Sequence, residues 1–150
     1  MGVGRGIGQV SSTLYGAVVN ANLEIEERRN HGIPVDYLEM GADATVSDGR
    51  IDLVFRNNTD SPIYLVARLV ETPKGKKCVF EIYGRPDQNG YKYEMRHEVI
   101  ETLPPPGPEY IRDKKAEYVL YDDEEKMTFK GANGYKVKTF RVTKDASGNV

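Results

Sequence analysis

At 150 residues the chain suffices for one ordinary domain, or one compact domain with a small module. Hydrophobic residues at 39% and charged residues at 29% exclude disorder, and a net charge of −2 argues against a general nucleic-acid binder. No apolar run approaches the roughly 18 residues of a membrane span, and a single cysteine, Cys78, rules out an internal disulfide.

Met1 ahead of a glycine run reads as a start cut from a longer protein, with no signal peptide present and a native anchor expected upstream. Gly2 to Gly8 is turn-prone. From Gln9 the pattern predicts a helix, with Val10, Leu14, Ala17, Val18 and Ala21 as its apolar stripe and Asn20–Asn22 as its end. Leu23 to Arg29 alternates as a short strand, and Asn30–Pro34 is a turn. Val35–Leu38 and Ala42–Val46 read as short extended pieces, separated by Gly41.

Ile51–Arg56, Ile63–Val70 and Lys77–Tyr83 predict three strands of an antiparallel meander. The last two are joined by the hairpin signal Thr72-Pro73-Lys74-Gly75. Tyr91–Leu103 is a further long strand. Pro104 to Pro108 is a stiff, extended linker. Beyond it Glu117–Tyr121, Met127–Lys130 and Tyr135–Thr143 read as strands of a tail too small for its own core. The organisation expected is therefore a domain over 1–103 and a linker with a small strand-rich module over 104–150. The fold class is α+β: one main N-terminal helix packed on an antiparallel sheet, then a strand-rich tail.

Three features bear on chemistry. Gly2, Gly4, Gly6 and Gly8 alternate, which is not G-x-G-x-x-G spacing, and no strand precedes them, so a dinucleotide loop is disfavoured. His31 follows the first strand, and Asp43 comes twelve positions later; on adjacent segments the carboxylate could fix the imidazole tautomer. A surface histidine in a turn is the competing reading. His97 lies in a charged strand and is expected to be solvated. Cys78 alternates inward with Phe80 and Ile82 as a small hydrophobe. Two distant histidines and one cysteine make a metal site unexpected, and no cofactor is implied. Arg28, Arg29 and Lys74–Lys77 are basic clusters, opposed by the acidic turn Asp122–Glu125. Ser11 and Ser12 stand where hydroxyls can cap free amides.

The run Gly6-Ile7-Gly8-Gln9-Val10-Ser11-Ser12-Thr13-Leu14-Tyr15 resembles the signature G-G-G-[IV]-C-Q-V-S-[ST]-T-L-Y of the VanW family, bacterial proteins associated by name with vancomycin resistance gene clusters. The likeness continues through Leu23-Glu24-Ile25, Glu27-Arg28, His31, Ile33-Pro34-Val35, Tyr37, Gly41, Asp43-Ala44-Thr45-Val46 and Asn57 to Tyr64. Asn133 to Val137, through Arg141-Val142, is similar to the start of a small glycine-marked extracellular module often appended to this family.

There are two departures. Gly8 stands where the family has cysteine, and Arg5 where it has glycine. The family pattern is in turn distantly similar to the transglutaminase-like core of papain-type thiol enzymes, where a cysteine opens a helix and a histidine and an aspartate follow on strands. That resemblance implies a catalytic frame of position 8, His31 and Asp43, with free helix amides as an oxyanion site and the present chain inactive as a thiol enzyme. Gln9, Ser11, Ser12 and Arg28 are the expected binding residues. The implied setting is extracytoplasmic, with peptidoglycan or a wall peptide as partner. A non-catalytic wall-binding or scaffolding domain is the alternative.

Overall fold

The computed structural model describes residues 3–73, 75–121 and 123–150. Gly2 of the glycine run, Lys74 of the basic cluster and Asp122 of the acidic turn lie outside them. Among the described residues one helix is followed by six strands: α1 Val3–Asn20, β1 Glu24–Glu27, β2 Val54–Arg56, β3 Tyr64–Thr72, β4 Gly75–Tyr83, β5 Lys92–Leu103 and β6 Gly134–Lys144. The strands pair antiparallel as β1–β2, β3–β4 and β5–β6. This is an α+β fold, with α1 against β1, β4 and β5. The expected meander is broken, because β2 pairs with β1 and not with β3.

The helix begins before the predicted Gln9. Its alternating glycines continue the helix, although each costs about 1 kcal/mol against alanine in a helix interior. Propensity is a weak prior that tertiary context overrides; of these glycines Gly8 is buried, while Gly6 is exposed. The buried face also differs from the predicted stripe. Gly8, Ser11, Ser12, Tyr15, Val18 and Val19 point inward, at helical spacings of three and four, while Val10 is 46% exposed. The apolar count was misleading because the two serines are buried by hydrogen bonding, not by hydrophobicity.

The helix stops where the sequence predicts. Asn22 takes a left-handed conformation (φ 57°), the Leu23 N–H reaches back to Val18 O at 3.1 Å, and Asn22 N–H to Val19 O at 3.0 Å. This 6→1 and 5→2 pair is a Schellman cap. It turns the chain so that Leu23 and Val18 are both fully buried. Tyr15, Val19 and Ala44 form the core, covered by Ile25, Leu53 and Met95.

The segments expected to be extended at 35–38 and 42–46 are irregular, as are 117–121 and 127–130. In the second pair the apolar side chains find no strand to pack with; Met127 is 78% and Phe129 73% exposed. The last strand is long and takes β5 as its partner from Lys92↔Lys144 to Leu103↔Gly134. The proline segment lies close to the loop ahead of β6: a Cβ at Gly131 would come within 2.8 Å of Pro105.

Candidate functional site

The site is built on the inner face of α1. Ser11 donates to Ala44 O at 2.6 Å; Ser12 accepts from Ala44 N–H at 2.9 Å and donates to Ala44 O at 3.2 Å. These bonds tie the irregular segment after Gly41 to the helix, although no ladder holds it there. Thr45 N–H adds a bond to Arg29 O at 2.8 Å, which sets the chain after β1 beside the same segment. Asp43 and His31 are thereby brought to one place.

Asp43 is buried. Its Oδ2 accepts from His31 N–H at 2.6 Å and lies 2.8 Å from His31 Nδ1. Its Oδ1 accepts from Arg28 at 3.2 Å. The Arg28 guanidinium also donates to Asp43 O (2.7 Å) and Gly41 O (3.1 Å), and stands 5.2 Å over the Tyr15 ring. A carboxylate facing Nδ1 holds the proton on that nitrogen and leaves Nε2 as the lone-pair side.

Nε2 faces Gly8. A Cβ built at Gly8 would lie 3.0 Å from His31 Nε2 and 3.1 Å from Tyr37 Oη, so both neighbours would yield a few tenths of an ångström to admit a side chain. Gly8, His31 and Asp43 are thus in line. Tyr37 is a fourth member that the sequence reading missed as a site residue. Its signal was present: it is one of the positions carrying the family likeness, in the loop between His31 and Asp43.

The other expected residues fall elsewhere. Gln9 is exposed, one helix position off the site. Ser11 and Ser12 are buried and bonded to Ala44, and Arg28 is bonded to Asp43 and Gly41; these three position the site from behind. The expected oxyanion amides are displaced as well. Only the first four N–H groups of a helix are free, and Gly8 is the sixth residue of α1.

A cleft of about 340 Å³ runs beside His31, between the 28–43 segment and the paired strands β5 and β6. Val35, Glu39, Leu103, Tyr135, Val137 and Thr139 are among its lining residues. His97, expected to be solvated, is half-buried on β5, with Nδ1 3.3 Å from Thr139 Oγ1. Cys78 is half-buried in β4. Among the described residues no group of three or more His, Cys, Asp or Glu could hold a metal ion, and no helix is long and apolar enough to cross a membrane.

The family model described as "VanW like protein" matches residues 1–83. The chain belongs to the VanW family. An uncharacterised relative, YoaR of Bacillus subtilis (strain 168), is 49% identical over 67 residues, which is 45% of this chain and 22% of the relative. The matched part therefore spans about a fifth of that protein. No solved structure matches. The family match ends at the close of β4, so β5 and β6, which wall the cleft, lie beyond it.

Proposed function

We propose that this VanW domain carries the frame of a thiol acyl-transfer or amidase-like site of the cell envelope, directed at peptidoglycan or wall peptides, with its nucleophile position occupied by Gly8. The observation that carries the reading is the alignment of Asp43, His31 Nδ1 and Nε2, and the Cβ position of residue 8. That is the order of orienter, base and nucleophile. With no thiol at position 8, His31 has nothing to deprotonate. Removing a triad nucleophile costs on the order of a millionfold in rate, so the chain as it stands is inactive as a thiol enzyme.

The test is Gly8→Cys. The introduced thiol lies within the helix and not at its first turn, so little of its activation comes from the helix dipole, which fades within a turn. The His31–Asp43 pair has to supply it. Alkylation by iodoacetamide across a pH series is expected to show a thiol titrating at about 7.5 or below. A titration near the free value of about 8.5 would sink the proposal.

Binding without cleavage is the second reading, favoured by the cleft beside His31 and by Gly8 itself. It predicts that purified peptidoglycan retains the chain, and that His31→Ala weakens retention at least several-fold. Equal retention of both proteins would count against a ligand site at His31.

A further inference from the structure

With Gly8 placed well inside α1, the helix amides no longer serve as hydrogen-bond donors for the oxygen that gains charge when a carbonyl is attacked. The free amides of the helix belong to its first turn, and the amide at position 8 is beyond them. Besides the imidazole, the group that meets the Cβ position of residue 8 is a phenol. Tyr37 Oη lies 3.1 Å from that point, with His31 Nε2 at 3.0 Å. Two side chains therefore converge on the nucleophile position. The imidazole presents a lone pair there, because its Nδ1 faces Asp43. A phenol carries one O–H donor. One group is suited to take a proton and the other to give a hydrogen bond.

We infer that Tyr37 is the oxyanion donor of this site, a role that rests on the thiol-type reading above. In the chain carrying Gly8→Cys, His31 takes the proton of the introduced thiol. The thiolate attacks the carbonyl carbon of an acyl substrate and forms a C–S bond. The carbonyl π pair moves onto oxygen, where the Tyr37 O–H donates to it. The tetrahedral adduct collapses, the C=O bond re-forms and the leaving group departs with the electron pair of its bond to carbon, taking back the proton from the His31 imidazolium. Water then hydrolyses the thioester, releasing the acid and restoring the thiol. Tyr37 stays protonated throughout and is not consumed.

The loop that carries Tyr37 supports the assignment. Residues 31 and 43 are fixed to each other by two hydrogen bonds, from His31 N–H and Nδ1 to Asp43 Oδ2. The segment between them is a closed loop that returns to the helix, and Tyr37 lies at its midpoint.

The experiment compares Gly8→Cys with Gly8→Cys/Tyr37→Phe, using iodoacetamide and p-nitrophenyl acetate on each. Iodoacetamide forms no oxyanion, so its rate reads thiolate activation alone. The acetate ester passes through a tetrahedral adduct, so its acylation burst reads the donor. The expected result is an unchanged iodoacetamide profile, which also shows that the site is folded, together with acylation slowed about 10²- to 10³-fold. A lowered thiol pKa in both proteins with equal acylation rates would overturn the role of Tyr37 and leave the thiol reading standing. A thiol titrating like free cysteine in Gly8→Cys itself would overturn both.

Discussion

Asp43→Ala is expected to lower the stability of the domain by about 3–5 kcal/mol, the cost typical of removing one partner from a buried ion pair. Asp43 is 7% exposed and accepts from three donors, two on His31 and one on Arg28. Alanine leaves the Arg28 guanidinium half-buried with only backbone carbonyls as acceptors, and the His31 amide without its partner. Urea denaturation should show the midpoint falling with little change in slope, since the surface exposed on unfolding is almost the same. A loss under about 1 kcal/mol would mean that the serine bonds to Ala44 hold the 41–45 segment without the carboxylate.

The isosteric Asp43→Asn separates the two duties of this side chain. The amide keeps one acceptor oxygen and the packing, so its cost should fall to roughly 1.5–3 kcal/mol, the range for hydrogen bonds to a charged group. It cannot hold the Nδ1 proton as a carboxylate does. The ring nitrogens of His31, read by ¹⁵N shifts, should therefore lose the preference for protonation at Nδ1. In the Gly8→Cys background the thiol should return toward its free value. Arg28→Ala belongs to the same network, so its cost added to that of Asp43→Ala should exceed the cost of the double variant. Strict additivity would show that Arg28 serves Tyr15 and Gly41 independently of the carboxylate.

How much of this site could be read from the chain depends on which force places each residue. Position 8, His31 and Asp43 were legible because each stands in a motif whose order implies a role. The end of the helix was legible because Asn22 can adopt φ > 0 and Leu23 is apolar, a local signature. The buried face of α1 was not. Ser11 and Ser12 score as polar, and only the backbone of Ala44, more than thirty residues away, makes them interior. Periodicity sees hydrophobicity and misses burial by hydrogen bonding.

The same limit explains the 35–46 segment. It read as short extended pieces, yet Gly41 O, Asp43 O and the N–H and C=O of Ala44 are bonded by side chains of α1 and Arg28 in place of a neighbouring ladder. Tyr37 went unassigned for a related reason: a loop residue is placed by its anchors and not by its own period, so only the family likeness marked it. The third case is β6. Its strand character was plain, but a pairing with β5 across a connection of about thirty residues has no local trace.

That non-local pairing sets up the second large effect. Gly41→Ala is expected to cost roughly 2–4 kcal/mol, through two causes acting together. Gly41 has φ +90°, where an L side chain is strained by about 1–2 kcal/mol. Its Cβ would also stand 2.7 Å from Thr139 Oγ1, 2.9 Å from Val137 Cγ1 and 3.2 Å from His97 Nδ1. All three belong to β5 and β6, which are held to each other in register at His97↔Thr139 and Val99↔Val137. A paired ribbon yields less than a single side chain, and overpacking of this kind adds about 1–3 kcal/mol. The relief open to the variant is separation of the 39–43 turn from the β5–β6 ribbon. That would break the bond from Thr139 Oγ1 to Gly41 O at 3.3 Å and disturb the bond from Arg28 to the same carbonyl at 3.1 Å. Hydrogen exchange should then quicken at Ala42, whose N–H bonds to Glu39 O, and at Thr45. The β5–β6 ladder itself should keep its protection. Thr139→Ala should return part of the loss in the double variant, by removing the nearest obstruction, and the remainder is the backbone strain and Val137. If Gly41→Ala is neutral, the β5–β6 ribbon is not clamped on the turn, and the cleft beside His31 has a movable wall.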